Sequence, residues 1–168
     1  MKKIGGVNWI LKVRDLVHAP RVRDWCKLPY PNHPHGCPNY GTNEHRLVDG
    51  CPPYSCYVTK KFNLNRPLYM VFSEFDLQAY VHRKKLQHPD RTDRQIRCVL
   101  YWQGTSKKQL RERVSYAISV LKTDAFSFAP ESLGVNVYTT CLRSGLKLEL
   151  IRKLKTCRHI ALLGWEGI

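Results

Sequence analysis

Four of the seven cysteines fall within one proline-rich stretch that begins at Cys26, passes through Cys37-Pro-Asn-Tyr-Gly41 and ends at Cys51-Pro-Pro-Tyr-Ser-Cys56. Six prolines between Pro29 and Pro53 each fix φ and remove a backbone donor, so the stretch builds neither a regular helix nor a central strand. A loop of this length inside a compact domain needs something to order it. Thiolates converging on a metal supply such ordering, because ligand binding and folding then become one event. Residues 26–57 are therefore read as a metal-binding loop.

The rest of the chain bounds the kind of protein that carries this loop. Its 168 residues suit one domain, 1–168, with a real hydrophobic core. With 43% apolar and 24% charged residues, the composition is that of a soluble globular protein. No apolar run approaches the roughly 20 residues that cross a bilayer, so no membrane partner is expected. The opening Met1–Val13 is basic at its front, but Asn8 and Lys12 interrupt its apolar part and no small-residue cleavage site follows. It reads as part of the fold, and the expected location is the cytoplasm. An odd, clustered cysteine count without a leader argues against a secreted disulfide framework. Cys141 and Cys157 read as small buried hydrophobes.

Within the loop, cationic neighbours such as Lys27, His33, His35 and Arg46 are expected to lower the pKa of Cys26 and Cys37. Gly36, Gly41 and Gly50 permit tight turns beside the thiols. The candidate metal ligands are Cys26, Cys37 and Cys51, with Cys56 or Cys98 as the fourth. Zinc takes four Cys or His ligands, and His33 or His35 could join three cysteines. Only Cys51 and Cys56 approach the usual zinc spacing, however, whereas an iron–sulfur cluster tolerates dispersed thiolates and cysteines followed by proline. Spacing alone leaves both open.

Around the loop, short strands alternate with helices. Val7–Val13 reads as an opening strand and Pro67–Ser73 as a buried one. Ser73 is placed as the N-cap of a helix ending near Gln87, before Pro89. Thr92-Asp-Arg-Gln95 matches a capping box, and Ile96, Val99, Leu100, Leu110, Val114, Ala117, Ile118 and Leu121 continue at helical spacing, with a kink or a break expected near Gly104-Thr105. A further helix is expected over Glu131–Ser144 with Gly145 just past its end, and a closing strand over His159–Trp165. This order predicts a small α/β or α+β domain: a short sheet, packed helices and a long Cys/Pro-rich loop.

The net charge of +15 points to an anionic partner. Within a basic helical segment, 74–122, eleven Lys or Arg residues between Arg83 and Lys122 face three acids, a local excess of eight. Arg94, Arg97, Lys107, Lys108 and Arg111 are the candidate nucleic-acid contacts, giving salt-sensitive phosphate affinity, with Tyr101 and Trp102 available to stack on unpaired bases. A solvated helix face with its aromatics in the core is the plainer alternative. The chain carries no RNP-like strand, Gly-x-x-Gly clamp, glycine-rich phosphate loop or Cys-x-x-x-Cys-x-x-Cys motif.

Cys37-Pro-Asn-Tyr-Gly41 followed by Cys51-Pro-Pro53 resembles a family of small microbial cysteine-rich proteins known only as predicted metal-binding, a domain of unknown function. Pro130-Glu-Ser-Leu-Gly-Val-Asn-Val-Tyr138 with Gly145-Leu-Lys-Leu-Glu149 is similar to that family's C-terminal helix-turn-strand, so the resemblance spans most of the chain. It implies a cytoplasmic protein with a cysteine-bound iron–sulfur centre, a 4Fe-4S cluster foremost and zinc second, and it supplies no reaction. Many relatives carry a Cys-x-x-Cys pair near the start and further cysteines mid-chain; here Cys26 stands alone and the mid-chain candidate is Cys98. The expected roles are redox or binding, with an electron-transfer partner, or an iron–sulfur enzyme acting on RNA or another anionic substrate, or a zinc-stabilised interaction protein.

Overall fold

The computed structural model describes residues 4–29, 33–41, 50–150 and 154–167; Arg46, among the expected cationic neighbours, lies outside them. The alternation of strand side chains explains the architecture. Strands β1 (Ile10–Lys12), β2 (Tyr69–Phe72), β4 (Ala125–Ser127) and β6 (Ile160–Gly164) form an antiparallel sheet in the order β1-β2-β6-β4. Successive residues on a strand point to opposite faces. Met70, Phe72, Ile160 and Leu162 thus enter one core, and Tyr69, Val71, Ala161 and Leu163 the other. Both faces are covered, which is why β2 and β6 read as unbroken apolar runs rather than alternating ones.

Helix α4 (Gln103–Leu121) covers one face, inserting Leu110, Val114 and Ala117. Against the other pack α1 (Val58–Lys61), the 3-10 turn Pro130–Leu133 and α5 (Val137–Arg143). A two-stranded ribbon of β3 (Phe75–Asp76) and β5 (Thr156–Cys157), with α2 (Leu77–Gln87), builds a small third cluster around Leu77, Trp102 and Cys157. The fold is α+β, as the element order predicts. Among the described residues no helix is long and apolar enough to cross a membrane.

Several boundaries differ from the sequence expectation. The opening strand is only Ile10–Lys12. The cap of α2 is Asp76, whose carboxylate accepts the Ala79 N–H at 2.8 Å, while Ser73 is drawn into a buried hydroxyl network. The Thr92 capping box forms, but the helix it opens, α3 (Asp93–Ile96), stops after one turn. There the Arg97 carbonyl accepts the Trp102 indole N–H at 3.1 Å, and a 3-10 turn over Val99–Tyr101 leads into α4. Val99 and Leu100 sit on that turn and are exposed rather than on the apolar stripe. The expected break thus falls ahead of Gly104. Likewise, Gly134 at φ 91° interrupts the segment Glu131–Ser144, and Asn136 starts α5 anew by accepting the Thr139 N–H. Gly145 takes its expected left-handed place at φ 98°.

Candidate functional site

Local backbone bonds bring the loop cysteines together. Cys26 ends a 3-10 helix over Pro20–Lys27. The Cys37 N–H donates to the Cys26 carbonyl at 2.7 Å, and the Gly41 N–H donates to the Pro52 carbonyl at 2.8 Å. These bonds stitch the second segment to the first and the third to the second. Tyr54 and Ser55 N–H groups fold back on the Cys51 carbonyl, each at 3.0 Å. Arg23 clamps the far end by donating to the carbonyls of Pro53 and Ser55 at 2.9 and 2.6 Å, and the Ser55 hydroxyl donates to the Ser132 carbonyl at 2.7 Å. The loop is thus a set of turns tied to the domain, with no regular element of its own between Lys27 and Val58 among the described residues.

Burial raises the pKa of the Cys26 thiol, and the charges of Cys37, Cys51 and Glu131 add to it, against a smaller opposing pull from Arg23. Burial and then Cys37 raise Cys51 in the same direction. This corrects the expectation that cationic neighbours lower Cys26: Lys27 turns away to Asp24, at 2.9 Å, and to the Tyr40 ring. Cys26, Cys37 and Cys51 are close enough to feel one another's charge. Among the described residues, however, no three Cys, His, Asp or Glu side chains are grouped so as to hold a metal ion as they stand. Cys56 is exposed at the loop's end. Cys98 lies at the α3–3-10 junction, where its backbone bonds to Gln95 and Tyr101. The His33 carbonyl accepts the Gly36 N–H, in keeping with a turn role, and His35 is exposed.

Glu131 connects this loop to a cleft of about 660 Å³. It is exposed to the cleft it lines, while the protein packed around its carboxyl pushes the pKa up, partly offset by its own backbone N–H. Lys107, Leu110 and Arg111 of α4 form one wall, and Cys157, Arg158 and His159 another. Of the five candidate nucleic-acid contacts, then, Lys107 and Arg111 reach the cleft. Arg97 donates to the carbonyl of Leu154, which also lines it, while Arg94 and Lys108 are exposed outside it. Tyr101 is exposed, but Trp102 is 4% exposed and stacks on Phe75, so it cannot receive a base.

Sequence reading passed over His159, Glu131 and Tyr138, because the cleft unites residues from distant parts of the chain. Arg158 pairs with Glu74 at 3.0 Å. Glu149 accepts the backbone N–H groups of Lys155 and Thr156, which pull its pKa down. Tyr138 is raised by burial, then by the charges of Glu131 and Cys157. Comparison of the chain with family models, with curated proteins and with solved structures finds no match.

Cys141, wholly buried on the inner face of α5, is the most perturbed thiol. Burial first, and the Glu131 charge second, push its pKa from 9.0 up to about 12. The folded pKa lies above the unfolded one, so the stabilisation is complete below pH 9.0 and is lost as pH rises toward about 12. Urea midpoints of reduced protein are expected to fall across that window. Cys141→Ala, less stable at pH 8, should show a shallower fall. Parallel curves for the two proteins would remove Cys141 as the cause.

Proposed function

We propose that the Cys26–Cys56 segment holds an iron–sulfur cluster through Cys26, Cys37 and Cys51, and that the protein serves as a redox or binding module. The observation that supports it is that Cys26, Cys37 and Cys51, on three separate turns, lie near enough for their charges to interact. Burial first, and the neighbouring thiols second, destabilise Cys26 and Cys51 as thiolates, and a bound cation removes that penalty by making deprotonation favourable. The donor set is all sulfur, which suits iron–sulfur or zinc better than a hard cation. The turns must close further to bring the three thiolates onto a common centre. Cys56, exposed at the end of the Cys51–Ser55 turn, is the nearer fourth ligand in sequence; Cys98 belongs to a separate junction.

Such a cluster supplies one-electron chemistry, and Lewis-acid chemistry where one iron lacks a thiolate. One observation favours the enzyme alternative: Glu131 feels the Cys26 thiol and also lines the basic cleft. An anionic substrate in the cleft would therefore lie beside the loop. The RNA version of that reading loses one of its two stacking residues, since Trp102 is core.

Anaerobic purification followed by metal analysis and absorption spectroscopy tests the proposal. Iron with acid-labile sulfide and broad visible absorption is expected. A colourless protein with stoichiometric zinc and no iron would transfer the site to the zinc-stabilised reading.

A further inference from the structure

The cleft between α4 and β5–β6 contains a histidine whose ring is set by a buried relay. Ser73 and Ser106 are 0% and 1% exposed. Ser73 Oγ accepts the His159 backbone N–H at 3.0 Å, stands 2.8 Å from Ser106 Oγ and only 3.5 Å from the His159 carbonyl. The shorter contact makes Ser106 the better acceptor for the Ser73 proton. In that arrangement Ser106 donates its own proton to His159 Nδ1, at 2.8 Å, and the neutral ring carries its hydrogen on Nε2. Burial, and then the Lys107 charge, hold the imidazole below its ordinary pKa and so keep it neutral at pH 7.

Nε2–H has no partner among the described residues, and His159 lines the cleft. Lys107 and Arg111, four residues apart on α4, flank it, and neither has an acidic partner among the described residues. Arg158 is already balanced by Glu74, and Glu149 is occupied by two backbone N–H groups. The uncommitted groups on the α4 and β6 walls are thus two cations and one neutral donor; Glu131, the remaining acid of the lining, has its carboxyl pushed up by desolvation, which favours its neutral form. They border an apolar wall that includes Val137, Leu148, Leu154 and Ile160. A concave volume of about 660 Å³ suits a small molecule better than a polymer strand.

We propose that this cleft is a binding site for a small amphipathic oxyanion, a carboxylate or phosphate monoester with an apolar body, whose anionic end is taken by Lys107, Arg111 and the Nε2–H of His159. Ser106 acts as a positioning residue, fixing the tautomer from behind. No cleft residue comes from the Cys26–Cys56 loop, so the inference stands apart from the metal reading.

Calorimetric titration of the whole protein with hexyl phosphate and with hexanoate tests it, and the stronger of the two identifies the headgroup. Saturable one-site binding is expected, weakened at least about tenfold in Lys107→Gln/Arg111→Gln and left unchanged by Lys108→Gln, which removes an exposed charge outside the cleft. His159→Gln, which can still donate, should bind better than His159→Phe. Ser106→Ala, which frees Nδ1 to carry the proton, should weaken binding although it touches no ligand. No saturable binding of either probe would overturn the proposal. So would equal weakening by Lys108→Gln, or binding of hexauridylate in place of both small anions.

Discussion

Gly36→Ala is expected to abolish the proposed cluster while leaving the sheet folded, and Gly41→Ala is expected to keep both. Both glycines hold left-handed backbone, φ +84° and +79°, so an added Cβ costs each about 1–2 kcal/mol of local strain. Only at Gly36 does that Cβ meet other backbone: 2.4 Å from the Cys26 carbonyl oxygen and 2.6 Å from the Lys27 carbonyl carbon. Neither atom can rotate aside. Segment 33–41 must lift from the 3-10 turn beneath it, which breaks the 2.7 Å bond between Cys37 and Cys26 and separates two thiols without altering either. At Gly41 nothing lies within 4 Å. Iron content and visible absorption of the two variants, each purified anaerobically beside Cys37→Ser, give the comparison. Gly36→Ala should match Cys37→Ser in metal loss, with unchanged far-ultraviolet circular dichroism. If Gly36→Ala retains a full cluster, the docking of these two segments is not what assembles the site.

The features legible in the sequence are those settled by neighbours along the chain. Pro67–Ser73 and His159–Trp165 announce β2 and β6 because strands buried on both faces need no polar alternation. Thr92 and Gln95 announce their capping box because three residues suffice to make it. Among the loop's described residues, the lack of regular structure between Lys27 and Val58 is what proline chemistry predicts. What stayed hidden depends on contacts across the chain. Ser73 is as good an N-cap as Asp76 by type; it lost that role because Ser106 and His159, 33 and 86 residues away, compete for its hydroxyl. Val99 and Leu100 fit a helical stripe on spacing, yet the Trp102 indole takes the Arg97 carbonyl and turns them outward. Of the cations expected beside Cys26, Lys27 turns to Asp24 and Arg46 lies outside the described residues; the pull that opposes burial and the nearby thiols comes from Arg23, which the expectation did not include. Gly134, with the β-branched Val135, Val137, Thr139 and Thr140, was the local sign that weighed against a single helix over Glu131–Ser144. The cleft left a single trace in sequence, the Lys107/Arg111 pair at helical spacing, and that pair alone reads as a solvated face.

The largest loss of stability is expected from Phe62→Ala. Phe62 follows α1 directly, and its N–H closes that short helix on the Val58 carbonyl at 2.9 Å. Its ring, 1% exposed, lies in the core with Leu68, Met70 and Leu162. It also lies against Gly164, where a Cβ would stand only 2.9 Å from its Cδ1 and 2.4 Å from Leu68 Cδ2. Gly164 lacks a side chain because Phe62 and Leu68 fill that volume. Removing the ring therefore leaves a void that the rigid pairing of β2 with β6 cannot close. The expected cost is about 3–5 kcal/mol, set against a total of about 5–15 kcal/mol for a domain of this kind, or roughly 10 °C in melting temperature. The loop cysteines hang from the other end of α1, so the folded fraction of Phe62→Ala should still load metal, unlike Gly36→Ala. The double variant Phe62→Ala/Gly164→Ala provides the stricter measurement: the new methyl enters the space the ring vacated, and part of the loss should return. If Gly164→Ala is equally damaging with and without Phe62, the two groups do not share the volume described above.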